Sequence, residues 1–131
     1  MATVLLIDDD PAVRQMLEML FSGAHECHTA DRAEQALQYL EFQSYDVVIT
    51  DVSMPGLGGV EIVKCITQQY PTTPVIVITG RPDQYKGLVL EMGAFAFFSK
   101  PFSLDELESA VVRAIARKQM LEAEGRLQPT A

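Results

Sequence analysis

The chain has 131 residues, enough for one ordinary domain with a buried core, and its 48% apolar and 21% charged residues are globular proportions rather than those of a disordered tail. A formal net charge of −8 sets up a field that argues against direct contact with nucleic-acid backbones or anionic membrane surfaces. No apolar run approaches the roughly 20 residues that span a bilayer, and Met1-Ala2-Thr3 enters a strand-like run at once without a basic and apolar leader pattern, so a cytoplasmic location is expected.

Thr3-Val4-Leu5-Leu6-Ile7 is a continuous aliphatic run, the pattern of a strand buried on both faces. It ends in Asp8-Asp9-Asp10-Pro11, where Asp10 suits an N-cap and Pro11 the first helical turn. Val13, Met16, Leu17, Leu20 and Phe21 then recur as one helix face. His25 to Thr29 reads as a short strand near an edge. Asp31 and Glu34 have capping-box spacing before a stripe of Ala33, Ala36, Leu37 and Leu40.

Asp46 to Thr50 is a third buried strand, ending at Asp51. A loop with Met54-Pro55-Gly56 and Gly58-Gly59 leads to a helix carrying Val60, Val63 and Ile66. Pro74 to Ile78 is the fourth strand, ending at Thr79-Gly80, and the helix after it runs from about Asp83 to Met92 with Gly93 as its cap. Phe95 to Ser99 is the fifth strand, ending at Lys100-Pro101. Ser103 and Glu106 again have capping-box spacing, before a stripe of Leu104, Leu107, Val111, Ala114 and Ile115. Beyond Met120 the stripe decays, so residues 1–120 read as the domain and residues 121–131 as a frayed helix end or linker. Lys118, Glu122, Glu124 and Arg126 are expected to be solvated there.

Strict alternation of strands and helices with short connections implies an α/β fold with a parallel sheet covered on both faces. In such sheets ligands bind beyond the carboxyl ends of the strands. Here those ends carry Asp8 and Asp9, Asp51, Thr79 and Lys100. A 2-1-3-4-5 strand order would bring Asp8, Asp9 and Asp51 together. At roughly 4 Å and an effective dielectric near 20, each like-charged pair costs on the order of 4 kcal/mol. A divalent cation removes that cost, and oxygen-only ligands select Mg²⁺, with Mn²⁺ as an alternative, rather than zinc. Lys100 and Thr79 then fit as a point charge and a hydroxyl donor for phosphoryl oxygens.

Leu6-Ile7-Asp8-Asp9-Asp10, Asp51-Val52-Ser53-Met54-Pro55-Gly56, Ile78-Thr79-Gly80 and Phe98-Ser99-Lys100-Pro101-Phe102 resemble, in order and spacing, the signatures of response-regulator receiver domains of two-component signalling. The resemblance runs from about Thr3 to Arg117. It implies a flavodoxin-like, doubly wound (βα)5 fold with a five-stranded parallel sheet in the order 2-1-3-4-5. It implies that Asp51 accepts a phosphoryl group from a phosphohistidine on a sensor histidine kinase or a histidine phosphotransfer protein. Asp9, Asp51 and the backbone carbonyl of Ser53 would ligate the metal, with Asp8 acting largely through water. Lys100 would pair with the phosphoryl group, and Thr79 would move inward to bond it. Phe97 matches the aromatic switch position, whose turning would alter the surface of helix four, strand five and helix five. The domain would be a signalling module rather than an enzyme with turnover, and a phosphorylation-dependent homodimer is compatible with it.

Some positions depart from the pattern. Gly58 and Ala96 stand where acids are frequent, and Phe97 replaces the common Tyr and so lacks a hydroxyl to anchor either rotamer. Ser53 and Arg81, two residues beyond Asp51 and Thr79, are candidates for tuning acyl-phosphate hydrolysis. The glycines at 56, 58 and 59 lack a phosphate-loop pattern and read as a flexible loop. His25 and His28 read as surface or half-buried side chains, Cys27 and Cys65 as reduced and half-buried, and Phe95 and Phe98 as core. A Mg²⁺-dependent phosphohydrolase is the rival reading. It would want an acid where Ser53 stands.

Overall fold

The computed structural model describes residues 1–53 and 58–127. The Met54-Pro55-Gly56 part of the loop and Pro129 lie outside the described residues. Five strands alternate with five helices: β1 (Thr3–Ile7), α1 (Pro11–Phe21), β2 (Glu26–Ala30), α2 (Ala33–Phe42), β3 (Val47–Asp51), α3 (Gly59–Gln69), β4 (Val75–Thr79), α4 (Pro82–Glu91), β5 (Ala96–Ser99) and α5 (Leu104–Leu127). All strand pairs are parallel, in the order β2-β1-β3-β4-β5, so β2 is an edge strand as expected.

Alternate residues of each strand point to opposite faces. Leu5, Ile7, Val48, Val75 and Val77 join Ala36, Leu40, Ile62, Val63, Ile66 and Val89, so α2, α3 and α4 cover one face. Val4, Leu6, Val47, Ile49, Ile76 and Ile78 join Leu17, Phe21, Leu107, Ala110, Val111 and Ala114, so α1 and α5 cover the other. Both faces of the central strands are therefore dry, which is why their sequences are unbroken aliphatic runs.

Local signals decide most helix ends. Asp10 caps α1 by accepting from the Ala12 N–H at 2.9 Å, with Pro11 in the first turn. Ser103 Oγ accepts from the Glu106 N–H at 3.3 Å. Gly93 follows α4 at φ 108°, a conformation that costs glycine nothing. Two expectations fail. The N-cap of α2 is Arg32, without a side-chain capping bond, so the Asp31 and Glu34 spacing is not used as a capping box. The Asp31 N–H is instead met by Gln35 Oε1.

The second failure is Lys118. It is not solvated but 3% exposed, its ammonium donating to the backbone carbonyl of Tyr45 and lying 3.6 Å from Glu122 Oε1. The helix α5 runs past the domain's last apolar stripe and crosses the amino ends of the strands. There Arg117 stacks over the Phe95 ring at 5.6 Å, just before β5, and Lys118 meets Tyr45, just before β3. Lys118→Ala is expected to destabilise the fold by about 2 kcal/mol, read as a lower urea midpoint at unchanged slope, because a buried carbonyl loses a charged donor.

Candidate functional site

Three strand ends build the site. Asp8 follows β1, Asp51 closes β3 and Lys100 follows β5. The strand β1 pairs with β3 in the register Ile7↔Thr50, which sets Asp8 beside Asp51. Carboxylate oxygens of Asp8, Asp9 and Asp51 lie within 4.8 Å of one another. Lys100 Nζ donates to Asp8 Oδ2 at 2.9 Å and to Asp51 Oδ2 at 3.1 Å, bridging residues 92 and 49 positions away. The Lys100-Pro101 peptide bond, whose isomer the sequence leaves open, is cis.

Burial is uneven. Asp8 is fully buried, Asp51 is 5% exposed and Asp9 faces solvent. Asp8 is held from below: its Oδ1 accepts from the Asp10 N–H at 2.9 Å and its carbonyl accepts from Arg14 Nη1 at 2.8 Å. The other oxygen of Asp51, Oδ1, accepts from the Ser53 N–H at 2.8 Å, which fixes the carboxylate's rotation. Thr79 is fully buried at the end of β4, its Oγ1 at 2.9 Å from Ser53 Oγ and accepting from the Arg81 N–H at 3.0 Å. Phe97 is half-buried, packed against the core of the α3 and α4 face, on the opposite side of the sheet from Phe95 and Phe98.

The charges are unbalanced. Burial raises the Asp8 carboxyl above its ordinary range, more than the Asp10 N–H and Lys100 lower it. Burial pulls the Lys100 amine down, but hydrogen bonds and charge from Asp8 and Asp51 outweigh it and leave the amine above its ordinary value. The two directions agree physically: Lys100 gains from two carboxylates, whereas Asp8 shares one ammonium with Asp51 and is the more deeply buried. Three carboxylates face one ammonium, so two negative charges remain, and the donor set fits one hard divalent cation.

A raised folded pKa means that Asp8 favours the fold while protonated and costs stability once ionised. In the metal-free protein Asp8→Asn is therefore expected to raise stability at pH 7 by roughly 0.5–2 kcal/mol. Thermal melts should show the gain shrinking as the pH falls and the wild-type carboxyl takes up its proton.

The sequence singled out Asp8, Asp9, Asp51, Thr79 and Lys100, and the structure gathers all five at one end of the sheet. Three supports were missed. Arg14 reaches Asp8 from α1, and Ser53 Oγ reaches Thr79. Gly59 is the third. It opens α3 rather than sitting in a flexible loop, and a Cβ there would lie 2.3 Å from both the Asp51 carbonyl oxygen and Val52 Cα. Arg14 carried a usable signal, being four residues after the cap; the other two depended on non-local approach.

The response regulator receiver domain profile matches residues 4–112. The chain is 36% identical over 118 residues to the DNA-binding transcriptional regulator NtrC of Escherichia coli, covering 88% of this chain and 25% of that protein. It is 33% identical to the alkaline phosphatase synthesis transcriptional regulatory protein PhoP of Bacillus subtilis, covering 92% of this chain and 50% of that one. The chain thus spans between a quarter and a half of these relatives. Among solved structures, a response regulator receiver domain protein from Clostridium thermocellum superposes with a TM-score of 0.85 at 34% identity, covering 92% of this chain and 99% of that one. The response regulator TrrA of Thermotoga maritima, solved in complex with Mg²⁺-BeF, has a TM-score of 0.79 at 30% identity, covering 87% and 99%. The chain belongs to the response regulator receiver domain family, the phosphorylation-dependent switches of two-component signalling.

Proposed function

We propose that Asp51 is the phosphoryl acceptor of this domain, taking the group from a phosphohistidine on a sensor histidine kinase or a histidine phosphotransfer protein. In that step a carboxylate oxygen of Asp51 bonds to phosphorus as the phosphorus–nitrogen bond of the donor breaks. The observation that carries the reading is the Lys100 ammonium, fixed between Asp8 and Asp51 inside a cluster that Asp9 completes. A carboxylate attacks an anionic phosphoryl group poorly, because both partners are negative. Lys100 lowers that repulsion and is placed to pass from Asp51 to the incoming oxygens. The Ser53 N–H holds the nucleophile's orientation throughout. Asp9, Asp51 and the Ser53 carbonyl would hold Mg²⁺ or Mn²⁺, with Asp8 acting through water, and the bound cation would supply charge neutralisation on the phosphoryl oxygens.

Phosphorylation adds about −1.5 to −2 charge at the carboxyl end of the sheet. Thr79 donates its hydroxyl to the new oxygens, and the space it leaves admits Phe97. A cavity of about 360 Å³ lined by Pro82 and Lys86 of α4, Phe97 and Phe98 of β5 and Glu106 of α5 lies at the β5 edge of the sheet. The surface of α4, β5 and α5 changes as a population shift and controls a partner or an output domain. The module works in the cytoplasm, without turnover of an external substrate. Among the described residues no helix is long and apolar enough to cross a membrane. The folded unit takes in residues 1–120.

Intact mass after incubation with a small phosphodonor tests the reading. One phosphoryl group should be gained with Mg²⁺ present and none with a chelator. Rapid hydrolysis of added phosphomonoesters would favour a phosphohydrolase instead.

A further inference from the structure

Ser53 is tied to the site twice. Its N–H donates to Asp51 Oδ1 at 2.8 Å, and its hydroxyl lies 2.9 Å from Thr79 Oγ1, on the neighbouring strand end. Thr79 Oγ1 also accepts from the Arg81 N–H at 3.0 Å. Thr79 is fully buried, so no water stands ready to replace a partner that it gives up. A change of the Thr79 χ1 rotamer moves Oγ1 off both of these partners at once. One of them is a backbone N–H, which any substitution other than proline leaves in place. The other is the side chain of Ser53.

We propose that the Ser53 hydroxyl is a latch: a positioning group that holds Thr79 in its resting orientation, so that opening the Ser53–Thr79 hydrogen bond sets part of the threshold for switching. This rests on the reading of Thr79 as the group that responds to phosphorylation. The latch acts only on the resting state, because its partner leaves when the switch turns. Removing it favours the switched state by about the worth of one net hydrogen bond, a factor of roughly two to ten. A ligand that binds only the switched state gains apparent affinity by the same factor while that state is the minor one. The Ser53 N–H and carbonyl, which serve Asp51 and the proposed metal, are untouched by a change of side chain.

The test uses the full chain with Mg²⁺ and beryllofluoride, whose BeF₃⁻ stands in for the phosphoryl group on Asp51. In Ser53→Ala the half-saturating beryllofluoride concentration should fall roughly two- to tenfold. Ser53→Thr, which keeps a hydroxyl, should behave as wild type. In the unliganded protein, relaxation dispersion at the Thr79 methyl should report a larger minor population in Ser53→Ala than in wild type. Unchanged or weaker binding by Ser53→Ala, or a Ser53→Thr that behaves like it, would overturn the latch while leaving Asp51 as the acceptor. Failure of the wild type to bind beryllofluoride at all would sink the reading of Asp51, and the latch with it.

Discussion

Asp51→Asn is expected to abolish phosphoryl uptake and to leave the fold standing. The amide oxygen can still accept from the Ser53 N–H, and Lys100 keeps its 2.9 Å bond to Asp8. What is lost is the nucleophile: an amide oxygen does not displace nitrogen from phosphorus under conditions in which a carboxylate does. Stability should therefore move by no more than about 1–2 kcal/mol, whereas the mass increment expected of the wild type with phosphodonor and Mg²⁺ should not appear. Asp8 is fully buried and cannot take over. Asp9 is exposed and is the one neighbouring carboxylate to which the group could divert. Continued uptake by Asp51→Asn at the wild-type rate would remove Asp51 from the role.

Gly59→Ala should be the most damaging single-methyl change at the site. Its Cβ would stand 2.3 Å from the Asp51 carbonyl oxygen and from Val52 Cα, and 3.0 Å from Val52 carbonyl carbon. All three are backbone atoms at the end of a fully buried strand, so no rotamer change relieves the overlap. Overpacking of a rigid core costs typically 1–3 kcal/mol, and a clash with backbone belongs at or above the top of that range, about 3 kcal/mol. For a chain of this size that is roughly 10 °C in melting temperature. The alternative to unfolding is that α3 and the end of β3 move apart, which displaces Asp51, so surviving protein should bind Mg²⁺ more weakly. Gly58→Ala is the control. Among the described residues its nearest neighbour would be 4.0 Å away, and the cost should stay under about 1 kcal/mol. Equal stability losses in the two variants would show that the close approach at Gly59 is not limiting.

The sequence by itself determined the elements and which polar side chains stand at the carboxyl end of the sheet. The runs at Thr3–Ile7, Val47–Asp51 and Val75–Thr79 are legible as strands because a strand dry on both faces must be aliphatic throughout. Asp10-Pro11 marks the start of α1 because capping is a contact between near neighbours. Acids, a hydroxyl and an amine at strand ends marked the site because a parallel sheet brings all its carboxyl ends to one edge. Only the tertiary structure decided what depends on distant backbones meeting. Lys118 looked like one more solvated charge until α5 was seen to cross the start of β3, where its ammonium joins the Thr73 hydroxyl in donating to the Tyr45 carbonyl from 73 residues away. Gly59 looked like loop punctuation, but it is the point where α3 leaves no room above β3. The Ser53–Thr79 hydroxyl pair, 26 residues apart, has no local trace either. Periodicity and capping act over a few residues and leave a pattern that can be read along the chain. A contact between strand ends leaves none, because either residue alone would be at home in an ordinary turn.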